Sequence, residues 1–237
     1  MSLYDPTNQI AGRAGEAVNV QSLLHRVFFW MALGLLTTAT VAYLTISTSL
    51  ITLVANRGVF FAAIIGELAL VVALNFGLRR MSPGLATALF FVYAGVNGFT
   101  LSIIFLVYQV GVIYQAFLAT AVLFGAMAVV GYVTDIDLTR IGSFLVMGVI
   151  GLLVAMIVNM FLNSGPLDYV ITIAGVLIFT GLTAYDTQRI KRMAEDPALQ
   201  GESEMVTKVG IIAALKLYLD FINLFLFLLR LFGGRRR

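Results

Sequence analysis

The stretch LKLYLDFINLFLFLLRLF, residues 215–232, decides how this chain is read. It has nearly the length and apolar character of a complete membrane crossing, which takes about 20 helical residues, yet it carries an acid, Asp220. A charge at the centre of a bilayer costs about 2.5–3.5 kcal/mol on insertion scales. An acid retained at that cost needs a purpose.

Working outward, 60% of the 237 residues are hydrophobic and 11% are charged, well outside the range of a soluble domain. The composition is that of an all-α integral membrane protein whose partner is the lipid bilayer. The chain has no cysteine and a single histidine, His25, so disulfide frameworks, thiolate metal sites and thiol nucleophiles are excluded. His25 beside Arg26 at a membrane boundary reads as a snorkelling interfacial group rather than a base. No glycine-rich loop followed by Lys and Ser/Thr is present to cradle phosphate, and no cofactor is implied. A net charge of +3 reflects loop placement, because a nucleic-acid partner would require a clustered basic face.

Seven apolar runs of spanning length follow one another at 27–46, 59–78, 85–107, 112–133, 141–162, 169–189 and 211–232. They lack the period-two alternation of a membrane barrel. Residues 1–22 are polar, without a signal-peptide pattern, and form the N-terminal tail; 23–233 form one seven-helix domain, and 234–237 a basic tail. With the N-terminus cytoplasmic, the inner side receives Arg13, Arg26, Arg79, Arg80, Arg140, Arg189, Lys191, Arg192, Lys208 and Lys216, and the outer side Arg57, Arg230 and Arg235 to Arg237. The excess of inner cations favours this orientation. Seven crossings place the terminal arginines outside; a re-entrant last segment would return them, and seven crossings is the reading adopted. Recurrent glycines, such as Gly95 with Gly98, Gly125 with Gly131, and Gly148 with Gly151, suit a tight bundle.

Three acids lie within the runs: Glu67, Asp186 and Asp220. Such groups usually face the bundle interior and mark ion or proton pathways. The midpoint between Asp186 and Asp220 is residue 203, inside the polar connector EDPALQGESEMVTK, so an antiparallel hairpin hinged there brings the two to similar depth. Two carboxyls held together away from water share a proton and titrate in coupled steps. The alternative is that each acid meets a cation on its own helix, Asp186 with Arg189 and Asp220 with Lys216. Glu67 can pair with a polar group on a neighbouring helix.

GLTAYDTQRIK at 181–191 and LYLDFINLFLFLLRLFG at 217–233, with FFWMALGLL in the first run and LFFVYAGVNGFTLSIIFLVY in the third, closely resemble the bacterial branch of the Bax inhibitor-one family, the transmembrane Bax-inhibitor-motif proteins. The resemblance implies a seven-helix fold with the last helix central, wrapped by two three-helix layers. It further implies a pH-sensitive calcium leak in which Asp186 and Asp220 stand in the places of a paired-aspartate latch, with Arg80 or Arg79 as its arginine partner. The connector between the acidic helices is longer here than in closer-spaced relatives. Calcium ions and protons are then the small partners, calcium being the transported ion with weak contacts to Asp186 and Asp220, and the location is the bacterial inner membrane.

Two other functions compete. A stress-response or quality-control protein would act through other membrane proteins without significant flux. An intramembrane aspartyl protease would use the same two acids to activate water; Tyr185-Asp186 fits that chemistry, but Asp220 follows Leu217-Tyr218-Leu219 rather than Gly-x-Gly, and Pro197-Ala198-Leu199 precedes it instead of following. A non-enzymatic conduit is the preferred reading.

Overall fold

The computed structural model describes residues 20–77, 81–195 and 203–233. Among these, every regular element is a helix: α1 (Val20–Ser47), α2 (Ile51–Ala55), α3 (Arg57–Gly77), α4 (Pro83–Leu101), α5 (Ile104–Val107), α6 (Val110–Val133), α7 (Thr139–Leu162), α8 (Gly165–Glu195) and α9 (Ser203–Gly233). Seven stretches are long and apolar enough to cross a membrane: α1, α3, α4 with α5, α6, α7, α8 and α9. In lipid the backbone must satisfy its own polar groups, so apolar runs of this length become helices.

The helices depart from the apolar runs at their ends. α1 begins at Val20 because the residues before the run are amphipathic: Leu23, Leu24 and Val27 are buried, while Gln21, His25 and Arg26 are exposed. α8 and α9 are each 31 residues long and carry their last or first turns into polar sequence. The third run is broken where Ser102 turns its hydroxyl back onto the Phe99 carbonyl at 2.7 Å, and the chain resumes as α5. The one-turn helix α2, which anchors Val54 in the interior, falls in a stretch too short for hydropathy to distinguish from a loop.

Local sequence sets several boundaries. Ser82 caps α4 by accepting from the Leu85 amide at 3.3 Å, with Pro83 in the first turn, where its missing N–H costs nothing. α7 ends on Asn163 in the left-handed region at φ 49°, and the Asn159 side chain accepts the Ser164 amide at 3.0 Å.

Burial ranks the spans. α9 is 72% buried over its spanning window, against 6% for α3 and 11% for α7, and it packs on α8, α6, α1 and α4. Apolar residues gain little from leaving lipid for protein, so close backbone approach carries much of this packing. A Cβ at Gly131 would strike the Ala184 carbonyl, and one at Gly98 the Thr38 carbonyl, whereas Gly95, Gly125 and Gly151 face open space. One glycine of each neighbouring pair in α4 and α6 therefore makes a helix contact and the other does not. Gly131 seats α6 on α8 two residues from Asp186.

Candidate functional site

The antiparallel pair α8 and α9 brings Asp186 and Asp220 together. Their residues are only 5% and 6% exposed, and both contribute to the lining of one groove. Lys216 reaches across from α9 to Asp186, with its Nζ donating to Oδ1 at 3.1 Å. The same-helix pairing of Asp220 with Lys216, and of Asp186 with Arg189, is not the ion pairing adopted. Side chains on a helix lean toward its N-terminus; Lys216 therefore leans away from Asp220, one turn ahead of it, and toward the neighbouring helix.

Asp220 is left with a buried oxygen, Oδ2, that receives no hydrogen bond among the described residues. Its polar neighbour Asp186 is another carboxyl, and one carboxyl can donate to another only if one of them carries a proton. The adjacent threonines offer nothing, because Thr183 and Thr187 turn their hydroxyls onto the Phe179 and Thr183 carbonyls at 2.8 Å each.

Two cavities meet at this cluster. A groove of about 610 Å³ lies between α7, α8 and α9 and includes Asp186, Lys216 and Asp220 in its lining. A smaller cavity of about 120 Å³ lies between α8 and α9 and is lined by Asp186, Arg189 and Lys216 among others. The Asp186–Lys216 pair thus stands where the two adjoin.

The α6–α7 loop is pinned to the end of α8 beyond the spans. Gln188 donates to the Ile136 carbonyl at 2.7 Å and accepts the Leu138 amide at 2.9 Å, while Arg192 pairs with Asp137 at 2.8 Å. Hydrogen bonds from the Thr139 side chain and backbone, with Arg192 beside it, hold the Asp137 carboxyl down at about 2. This exposed staple stays ionised throughout the neutral range.

Glu67 occupies a different setting on the other side of α9. Its carboxylate accepts from Thr100 at 2.6 Å and Asn97 at 3.3 Å; Tyr218 donates to Asn97 at 3.0 Å and lies 2.6 Å from the Thr38 hydroxyl. Helices α1, α3, α4 and α9 are tied together by this chain. Of its members the sequence had singled out only Glu67, since Thr, Asn and Tyr are common in membrane helices. A second ion pair, Asp168 with Arg230 at 3.6 Å, joins the opposite ends of α8 and α9. Its signal was available, because Asp168 and Arg230 flank the same polar connector as Asp186 and Lys216.

Arg79 and Arg80, the tail at 1–19, the connector residues 196–202 and the basic tail at 234–237 lie outside the described residues. His25 is exposed. Among the described residues no group of three or more His, Asp or Glu is placed to hold a metal ion. A cation at the α8–α9 contact would meet two carboxyls, a sparse set of oxygen ligands suited to brief occupancy.

Comparison with known proteins bears on the whole chain. A family model described as inhibitor of apoptosis-promoting Bax1 matches residues 20–237. A protein of Borreliella burgdorferi is 46% identical over 223 residues, covering 93% of this chain and 95% of the relative. The inner membrane protein YbhL of Escherichia coli is 44% identical over 219 residues, 92% and 93% of the two chains. A protein of Rickettsia prowazekii is 44% identical over 214 residues, 89% of each.

Proposed function

This chain belongs to the Bax inhibitor-1 family of membrane proteins, and from that premise we propose that it is a calcium leak pathway whose opening is set by protonation of the Asp186–Asp220 pair. The observation that carries the proposal is the Asp220 Oδ2, buried and without a donor among the described residues, on a groove that Asp186 also lines, inside spans long and apolar enough to cross a bilayer. An acid serving only as a fastening between helices would be saturated with donors.

A proton shared between the carboxyls makes an attractive contact between α8 and α9; its loss leaves two like charges at short range, offset only in part by Lys216. The helix contact is therefore a two-state element biased by protons. Its two sets of carboxyl oxygens are hard ligands of the kind calcium takes. The pathway would join the small cavity to the large groove past the Asp186–Lys216 pair. By likeness to YbhL the membrane is an inner membrane, and the excess of cations on one side of the spans favours a cytoplasmic N-terminus.

The test is calcium flux in proteoliposomes across about pH 5 to about pH 8. Flux in the wild type is expected to vary with pH, and Asp220→Asn and Asp186→Asn are expected to flatten that dependence, since an amide cannot exchange the shared proton. Flux no greater than that of empty vesicles at every pH would reject the channel and leave a partner-binding stress protein as the reading.

A further inference from the structure

At the end of the bundle where α1 begins and α6 and α8 finish, a groove of about 340 Å³ opens between α1 and α6. Its lining runs from Gln21 to Phe28 on α1 and from Gly125 to Tyr132 on α6, roughly 10 Å along each helix. The deep end is hydrocarbon: Phe28 meets Phe124 edge-on there, with ring centres 6.5 Å apart. Gly125 widens it. A Cβ at that position would meet nothing within 4 Å, whereas one at Gly131 would strike the Ala184 carbonyl, so the first glycine leaves space and the second makes a helix contact. Val129 and Tyr132 are exposed, and the groove is therefore open sideways, toward lipid.

The mouth carries a positioned cation. His25 and Tyr132 line it, with Thr187 of α8 buried behind. One turn beyond Thr187, Lys191 holds its Nζ 5.4 Å from the centre of the Tyr132 ring and donates to the Tyr132 carbonyl at 3.0 Å, a bond that uses one of the three ammonium donors. Among the described residues no Asp or Glu lines the groove, and Asp137 of the adjoining loop is engaged by Arg192 at 2.8 Å. An apolar slot of this kind, with a cation at its outer end, is complementary to a chain that ends in a negative group.

We propose that this groove binds an anionic phospholipid, with its phosphodiester beside Lys191 and Tyr132 and one acyl chain laid between α1 and α6 over Gly125. The same end of the bundle bears Arg140, Arg189 and Arg192, and the cation excess favours it as cytoplasmic. The leaflet on that side carries the anionic headgroups that basic groups between membrane helices attract. A zwitterionic headgroup would bring its own ammonium toward Lys191. A partner helix would find room for less than two turns in about 10 Å. The cavity lined by residues including Leu35, Phe117 and Phe225 has a similar volume of about 340 Å³ and no charged residue in its lining, so it serves as an internal control for acyl-chain occupancy without headgroup selection. The inference uses neither the acid pair nor calcium flux.

The test uses the full chain in nanodiscs of mixed phosphatidylcholine and phosphatidylglycerol. Trace phosphatidylglycerol or phosphatidylcholine with a diazirine on one acyl chain is photolysed, and the labelled residues are located by mass spectrometry. The anionic probe is expected to label residues 21–28 and 125–132 about fivefold more than the zwitterionic one, the effect of one lysine near a membrane surface. Lys191→Gln should remove that preference. Raising salt from about 0.1 M to about 1 M should shrink it, because the Debye length falls from about 10 Å to about 3 Å. Gly125→Leu, checked for an unchanged melting transition, should fill the groove and lower labelling there by both lipids. Gly151→Leu, at another glycine that faces open space, should leave the labelling intact. Equal labelling by the two lipids, as ordinary bilayer contact would give, would overturn the proposal. So would the absence of label from the groove, as occupation by another part of the chain would give, or a preference undiminished in Lys191→Gln or labelling undiminished in Gly125→Leu.

Discussion

Glu67 and Asp220 are acids on opposite sides of α9, and the protein treats them differently. Tyr218 and Asp220 are two residues apart on that helix, which turns their side chains about 200° from one another. On the Tyr218 side, Glu67 accepts from Thr100 and Asn97, Asn97 in turn accepts from Tyr218, and Tyr218 lies beside the Thr38 hydroxyl, so that four helices are linked through one hydrogen-bonded chain. On the other side, Asp220 keeps an oxygen with no donor among the described residues, on a cavity that a second acid also lines. The expense of burying a charge is offset by donors in the first case and left standing in the second. A satisfied intramembrane acid fastens helices; an unsatisfied one is available to a proton, an ion or a ligand.

The contrast is open to direct measurement, most strongly through stability. Glu67→Leu strands the Asn97 amide and removes the Thr100 bond, and should lower stability in detergent by about 1–2 kcal/mol, as seen in thermal or denaturant unfolding. Asp220→Asn puts an amide donor beside Asp186 in place of the shared proton and removes the like-charge contact that follows that proton's loss, so stability at neutral pH should stay level or rise by up to about 1 kcal/mol while the pH response of flux is lost. If Asp220→Asn proved as damaging as Glu67→Leu, Asp220 would be a fastening after all.

The smallest effect should come from Asp137. Its carboxyl titrates at about 2 in the folded protein, below the ordinary 3.8, so its stabilising contribution is full above about pH 4 and is lost only as pH falls through about 2. Asp137→Asn should therefore leave the shape of the flux profile between about pH 5 and about pH 8 unchanged. A displaced profile in that variant would mean that the loop staple, rather than the membrane acids, takes part in sensing.

Much of this architecture is legible in the chain itself. Seven apolar runs can be read without any tertiary knowledge, because the cost of moving a segment into lipid is a sum over its own residues. The same arithmetic identifies Glu67, Asp186 and Asp220 as exceptions, and the polar connector around residue 203 makes a hairpin of α8 and α9 a natural reading. Helix ends were less legible, since α1, α8 and α9 extend into amphipathic or polar sequence that hydropathy alone does not assign.

Partnership was decided by the fold. Whether Lys216 meets Asp220 or Asp186 depends on the lean of its side chain and the rotation of α9 against α8, and Asp186 is the partner found. Whether a glycine is a contact or a gap likewise depends on which way its helix faces: Gly131 abuts Ala184, while Gly125 in the same helix abuts nothing. The sequence by itself determined that this chain crosses a membrane seven times' worth of helix with acids inside, because transfer free energy is local and additive. Only the tertiary structure decided that Glu67 meets donors on both oxygens and that Asp220, among the described residues, does not, because hydrogen-bond satisfaction belongs to the relative rotation of packed helices and to no single segment.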